Sequence, residues 1–244
     1  MQLPGLALLC FVVWYGFADR DARAISAFDF HAFVMVIGGS IAAIMVSSSA
    51  RTTLRTLSCL REVLPGLGTL TRATDELEAE RAQLALLWRE RRRAQAVELA
   101  ERSRHPAVGR MLQLVLARAP EEATKSAFTE LRHAELSRWQ PAVGNWEMLA
   151  RLAPSFGMVG TITGMIRLFQ KMGEDGMNLG PAISLALLAT LYGVAFGAGV
   201  AGPIGHFLRT LLDERLGALE RCEQTVGEML AGGAGPDSPS GRGL

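Results

Sequence analysis

The sequence predicts an all-α membrane protein with four transmembrane helices and a helical cytoplasmic domain between the second and the third. The chain is 49% hydrophobic yet 20% charged, so its charged residues must be segregated from its apolar ones. No segment shows the alternating pattern of a half-buried strand. The predicted divisions are a first transmembrane helix pair at 1–50, a cytoplasmic helical domain at 51–149, a channel-forming transmembrane helix pair at 150–208, a cytoplasmic helical extension at 209–230 and a disordered tail at 231–244.

Two apolar runs make up the first pair. Residues 3–18 carry no charge and follow no basic residue, whereas a secretory signal would begin with a positive region. We therefore interpret this run as a retained first span. Residues 30–49 form the second run, and ~20 apolar residues suffice to cross a bilayer as a helix.

The polar block that follows is predicted to be cytoplasmic. Seventeen of the 25 Lys and Arg residues lie between Arg51 and Arg151, several of them beside span ends, as the positive-inside rule requires. Both termini are then cytoplasmic as well. The predicted helices of the block are Thr69–Arg104, Ala107–Arg118 and Glu121–Gln140, with Pro141 and Gly144 breaking the pattern before the third span.

The second transmembrane pair is rich in small residues. Residues 176–205 contain no Asp, Glu, Lys, Arg or His, which predicts a span. Arg151 and Arg167 bracket a shorter uncharged run that crosses the membrane only if both arginines extend towards its surfaces. Each helix carries one threonine near its middle and one proline that would bend it: Thr161 with Pro154, and Thr190 with Pro203.

Small residues recur at helical spacing on both of these helices. Such faces let another backbone approach closely, and we expect a central helix to come close to the face on the second helix. The alternative is ordinary helix packing, with each threonine hydroxyl bonded to the carbonyl four residues earlier. The predicted small-residue packing face comprises Gly157 and Gly164 on the first helix, and Ala186, Gly193, Gly197 and Ala201 on the second.

The run APSFGMVGTITGM, followed by ALLATLYGV and then GP, resembles the last two membrane helices of the MotA/TolQ/ExbB proton-channel family. The resemblance implies a bacterial inner-membrane homopentamer around two copies of a MotB-like single-span partner. It implies that Thr161 and Thr190 line the ion route beside the partner's membrane aspartate, and that Pro154 and Pro203 are bends involved in coupling. The second apolar run favours the flagellar stator branch, because the ExbB and TolQ branches have three spans.

One stretch of the polar block, Arg89–Arg102, is densely charged. In the stator branch, a basic residue followed eight positions later by an acidic one presents charges to a rotor. Arg93 and Glu101 match that spacing, which separates them by ~12 Å along a helix. The alternative is a solvated helix face with local ion pairs, such as Glu98 with Arg102.

Other function classes find no support in the sequence. It contains no nucleotide-binding, zinc-protease or serine-hydrolase motif, and its three cysteines are scattered, so we expect no enzyme and no cofactor apart from transported H⁺ or Na⁺. A net charge of +1 argues against nucleic acid as a partner, which leaves other copies of the chain, the partner subunit, a rotor and membrane lipid. The predicted function is a stator channel subunit that couples ion flow to rotation. The alternatives are an ExbB/TolQ-like energiser of outer-membrane transport or of a gliding-type motor, and a passive membrane scaffold.

Overall fold

The structure is a computed structural model that describes residues 30–63, 68–172 and 180–232. Every element in these ranges is a helix, as the sequence predicts, and no strand occurs among them. The predicted first span at 3–18 lies outside the described residues. So does the predicted tail, apart from residues 231 and 232, which end the last helix.

The described helices include two short π-helical turns, each continuous with its neighbours. In chain order they are α1 (Phe30–Phe33), π1 (Val34–Gly38), α2 (Gly39–Ser47), α3 (Ala50–Ser58), α4 (Leu60–Val63), α5 (Thr69–Arg89), α6 (Arg93–Arg102), α7 (Pro106–Leu116), α8 (Glu121–Lys171), α9 (Gly180–Phe196), π2 (Gly197–Ala201) and α10 (Gly202–Gly232).

The chain divides into two compact units. The first, here called the apolar unit, comprises Met1–Gly68 and Gln140–Thr210; the second, the charged unit, comprises Thr69–Trp139 and Leu211–Leu244. Three helical segments of the described chain are long and apolar enough to cross a membrane: Phe30–Ser47, Glu121–Gln170 and Ala186–Gly232.

The charged unit has its own hydrophobic core. Helices α5, α7, α8 and α10 each contribute a side chain with no solvent exposure. Removal of such apolar surface from water is the main contribution to the stability of a helical domain. These fully buried side chains include Leu77, Met111, Phe128 and Val226.

The apolar unit combines a small internal core with an exposed apolar exterior. Ala32 and Val36 pack against Leu188 and Ala189 of α9. Large exposed apolar patches on a protein mark contact with a membrane or another chain. The exposed side chains include Val46 (89%), Leu187 (67%) and Phe169 (62%).

The predicted continuous helix Thr69–Arg104 is wrong, because α5 ends at Arg89 and α6 begins at Arg93. Arg91 adopts a φ of 58°, in the left-handed region where glycine is usual. The Arg91 N–H donates to Trp88 O at 3.2 Å and the Arg92 N–H donates to Leu87 O at 3.0 Å. This is the Schellman pattern that ends a helix, here with arginine in the position that glycine commonly takes.

The predicted break at Pro141 and Gly144 is also wrong. Helix α8 is continuous from Glu121 to Lys171 and contains both Pro141 and Pro154. Pro141 is exposed, so solvent can satisfy the carbonyl that loses its helical donor there.

Candidate ion-pathway site

The hydroxyls of Thr161 on α8 and Thr190 on α9 lie within hydrogen-bonding distance of each other. Thr161 Oγ1 also lies 3.2 Å from Gly157 O and 3.2 Å from Ala186 O. Thr190 Oγ1 lies 3.4 Å from the same Ala186 carbonyl. Both hydroxyls reach the carbonyl four residues earlier, as in the packing alternative considered from the sequence. They also face each other, a contact that the sequence did not predict.

The possible hydrogen bonds of the Thr161 and Thr190 hydroxyls outnumber the two protons that these hydroxyls can donate. Each threonine hydroxyl has one proton to donate and lone pairs with which to accept. If Thr161 donates to Thr190, then Thr190 can donate to Ala186 O; if Thr190 donates to Thr161, then Thr161 can donate to either carbonyl. The pair has alternative hydrogen-bond arrangements, and it can present either a donor or a lone pair to a third group.

Glycines set the short distance between α8 and α9. A Cβ added at Gly193 would lie 2.6 Å from Ala153 O, and one added at Gly157 would lie 2.9 Å from Ala189 O. Real Cβ atoms do not come this close to backbone oxygens, so neither position accepts a side chain without separating the helices. Close backbone approach is what brings the two threonines together.

The remaining small residues lie in the same helix pair. A Cβ at Gly197 would lie 2.7 Å from Pro154 Cδ and 2.8 Å from Ala150 O, so the proline ring packs directly on this glycine. Ala186 and Ala201 are 4% and 0% exposed, and Gly164 is also buried. The sequence-based expectation was that a central helix would approach this face. At Gly193 and Gly197 this is wrong, because α8 of the same chain packs there.

Gly160 is a site residue that the predictions did not include. A Cβ at this position would clash with the Ala189 side chain. The signal was present in the sequence, since Gly160 and Gly164 form a GxxxG pair.

The two predicted bends lie in different local structures. Pro203 follows the π-helical turn π2, in which the Gly202 N–H donates to Gly197 O, five residues earlier. Proline cannot donate to the carbonyl four residues before it, and a widened turn relieves the crowding that its ring causes. Pro154 lies within α8, which is assigned as α-helix around it.

The predicted rotor-contact residues lie in the charged unit. Arg93 and Glu101 are both exposed on α6, and the Arg93 guanidinium lies 4.7 Å from the centre of the Trp88 ring. Such a cation–π contact restrains an exposed arginine. The local pair considered as the alternative is also present, with Arg102 Nη2 2.9 Å from Glu98 Oε1.

These features define a class of protein. The fold is that of a helical membrane protein in which two tightly packed helices carry a pair of facing threonine hydroxyls, with Thr161 half-buried and Thr190 exposed. The model of the MotA/TolQ/ExbB proton channel family matches residues 100–221, half of the 244-residue chain, and the chain belongs to this family. That family consists of channel and stator subunits rather than enzymes.

Related proteins agree with this assignment. Motility protein A of Aquifex aeolicus is 33% identical over 109 residues, which are 44% of this chain and 42% of that protein. The chemotaxis protein PomA of Vibrio alginolyticus is 33% identical over 88 residues, 36% of this chain and 32% of that protein. A Synechocystis protein named as an ExbB-like biopolymer transport protein is 35% identical over 83 residues, 33% of each chain. The matches thus span less than half the length of these relatives.

Two solved structures share the fold over nearly the whole chain. The structure of C. jejuni MotAB has a TM-score of 0.77 at 14% identity and covers 95% of this chain and 89% of the matched chain. The flagellar MotAB stator complex of Bacillus subtilis has a TM-score of 0.76 at 21% identity and covers 94% and 89% respectively.

Proposed function

We propose that the chain is the ion-channel subunit of a flagellar-type stator, which couples the flow of H⁺ or Na⁺ to rotation. The observation that carries this proposal is the Thr161–Thr190 hydroxyl pair, which lies between the stretches 152–166 of α8 and 180–201 of the next helices, neither of which contains a charged residue. An ion in the membrane interior is costly unless polar groups replace its hydration. A hydroxyl pair that can present a donor or a lone pair suits that role.

The chain supplies the passage and a partner supplies the titrating group. The apolar helical segments 30–47, 152–166 and 180–201 contain no Asp or Glu. We propose a MotB-like single-span partner dimer with a membrane aspartate, surrounded by five copies of this chain in a bacterial inner membrane. The solved neighbours, which are MotAB complexes, support a partner of this type. Repeated neutralisation and recharging of the aspartate would advance the ring around the partner.

Replacing Thr190 with valine tests the passage. Valine keeps nearly the same shape but removes the hydroxyl, so we expect ion flux to fall about ten-fold, as for a ~1.4 kcal/mol higher barrier, while the complex still assembles. The measurement is proton or sodium flux into vesicles that contain the co-purified complex.

Thr163→Val is the matched control for this experiment. Thr163 lies on the same helix as Thr161, and its hydroxyl donates to Val159 O at 2.9 Å within its own helix, so we expect flux to stay normal. Full flux in Thr190→Val would contradict the assigned passage and favour the passive scaffold.

An ExbB/TolQ-like energiser is the second candidate, favoured by the ExbB-like relative from Synechocystis. It shares the passage and differs in what the charged unit contacts.

If Arg93 and Glu101 face a rotor, reversing either charge should reduce torque several-fold while ion flux and assembly stay intact. The measurement is the rotation of tethered cells.

Arg110→Glu, an exposed charge reversal on α7, is the control and should leave torque unchanged. Recovery of torque by an opposite reversal on the rotor would support the contact. Normal torque in both the Arg93 and the Glu101 reversals would leave only the solvated helix face.

A further inference from the structure

Helix α3, which follows the span at Phe30–Ser47, exposes its leucines and buries a threonine, unlike a surface helix of a soluble protein. Its buried position is Thr56, at 4% exposure, while Leu54 is 68% exposed and Leu57 is 56% exposed. Leu60, at the start of α4, continues the stripe at 39% exposure. Leucines at intervals of three along a helix normally face the core, because burial of each contributes about 1.5–3 kcal/mol.

Hydrogen bonds to α8 hold α3 in this orientation. Asn145 Nδ2 donates to Thr56 Oγ1 at 2.9 Å, and Trp146 Nε1 donates to Thr56 O at 3.0 Å. Ser48, at the junction between α2 and α3, donates to Asn145 Oδ1 at 2.8 Å. Turning the leucines inward would leave these buried polar groups unpaired, at a cost of about 1–3 kcal/mol each. The hydrogen bonds between α3 and α8 therefore keep the leucines of α3 facing outward.

The outward face is also basic. Arg51, Arg55 and Arg61 are all exposed, and α3 contains no acidic residue. Glu62, the acidic residue of α4, is 7% exposed and does not reach the surface. A surface of leucine with arginine beside it and no carboxylate complements a lipid layer with anionic headgroups.

The exposed surface of α3 continues that of the preceding span. Met45 and Val46, near the end of α2, are 62% and 89% exposed, and α3 begins at Ala50, capped by the Ser49 hydroxyl, which accepts from the Thr52 N–H. Only Ser48 and Ser49 separate the two helices. Helix α3 thus begins where the apolar span ends, within reach of the headgroups at that membrane surface.

We propose that α3 and the start of α4 lie in the membrane surface and bind anionic phospholipid, with Leu54, Leu57 and Leu60 in the acyl region and Arg51, Arg55 and Arg61 at the headgroups. The Asn145 and Trp146 contacts link this lipid-bound helix to α8, the helix that carries Thr161. The proposal rests on the membrane location of the chain. It does not depend on ion flux.

The test places a bimane fluorophore at Leu57→Cys in the full-length chain with Cys10→Ser. The two remaining cysteines are buried, and burial raises the pKa of the Cys59 thiol to about 11, so the label goes to the new cysteine. The labelled chain is reconstituted in phosphatidylcholine vesicles that contain brominated phosphatidylcholine or brominated phosphatidylglycerol. The matched control is Leu86→Cys, an equally exposed leucine (56%) in the charged unit.

We expect both brominated lipids to quench the label at residue 57, with phosphatidylglycerol effective at a lower mole fraction, and neither to quench it at residue 86. Arg51→Gln and Arg61→Gln should each lower the preference for phosphatidylglycerol up to about five-fold, the effect of ~1 kcal/mol per basic side chain.

Three outcomes would overturn the proposal. The first is an absence of lipid quenching at residue 57 with free access of iodide, which means exposure to water. The second is shielding from both lipid and iodide, which means that another copy of the chain covers α3. The third is equal quenching by the two lipids, which removes the anionic preference. Each is read without measuring ion flow, so failure here is distinct from failure of the channel function.

Discussion

At the scale of single residues, glycine spacing controls where two hydroxyls lie. Gly157 on α8 and Gly193 on α9 face each other. The close approach of the two helices there brings the hydroxyls of Thr161 and Thr190 within hydrogen-bonding distance. Because the atoms nearest to these glycines belong to the opposing backbone, they cannot rotate away as a side chain could.

We expect Gly193→Ala to destabilise the protein by about 1–3 kcal/mol, the usual cost of overpacking, because its methyl group would lie 2.6 Å from Ala153 O. The measurement is thermal unfolding in detergent, together with ion flux, which should fall as the threonines separate.

Gly144→Ala on α8 is the control for this substitution. A Cβ there meets nothing within 4 Å, so this change should be neutral or should stabilise the helix by up to about 1 kcal/mol. Equal stability of the two variants would show that α8 and α9 can separate at no cost.

At the scale of elements, irregular helix geometry coincides with the second predicted bend. The turn π2 spans Gly197–Ala201 and directly precedes Gly202 and Pro203, so a widened turn and a missing N–H occur together on the helix that carries Thr190. Such turns are frequent at functional sites. Helix α8, by contrast, accommodates both of its prolines without a change of helix type.

Replacing Pro203 with alanine restores a helical donor. We expect π2 to shorten to regular α-helix, the thermal stability to rise by up to about 3 kcal/mol, and ion flux or torque to fall because the adaptable turn is lost. Stability in detergent and flux in vesicles measure the two effects.

Pro141→Ala is the matched control, since it also removes a proline from a long helix but lies away from the threonine pair in sequence. It should change stability alone. If Pro203→Ala retains full flux and torque, the bend at Pro203 has no part in coupling.

At the scale of the whole molecule, the chain passes repeatedly between its two units, at residues 68–69, 139–140 and 210–211. Helices α8 and α10 each contribute residues to both units. Most of the basic residues lie in the stretch between Arg51 and Arg151, so the positive-inside rule predicts a cytoplasmic charged unit.

Reporter fusions test the predicted four-span topology. A reporter after Arg55 or Arg138 should be cytoplasmic, and one near Arg23 should be external, since the apolar runs at 3–18 and 30–49 would place this connection across the membrane. Enzymatic reporters active on one side of the membrane measure this directly. A cytoplasmic reporter near Arg23 would remove the first span from the topology.

The sequence by itself determined the helical class, the apolar segments and the family, and it singled out Thr161 and Thr190 as candidate site residues. These follow from local signals: long uncharged runs predict spans, and Gly, Thr and Pro at set intervals identify the last two membrane helices. The sequence did not predict the ends of α5 and α7, because Arg91 and Arg118 occupy left-handed positions that glycine normally marks. It also placed a break at Pro141, where α8 continues.

Only the tertiary structure decided what each helix face contacts. The stripe of Leu54, Leu57 and Leu60 would ordinarily be assigned to a core, yet hydrogen bonds from Asn145 and Trp146 to Thr56 turn it outward. Gly193 and Gly197 were expected to face a central helix, yet α8 of the same chain lies against them. Periodicity defines the faces of a helix but not their neighbours, because a face is assigned by contacts between residues that are distant in the sequence.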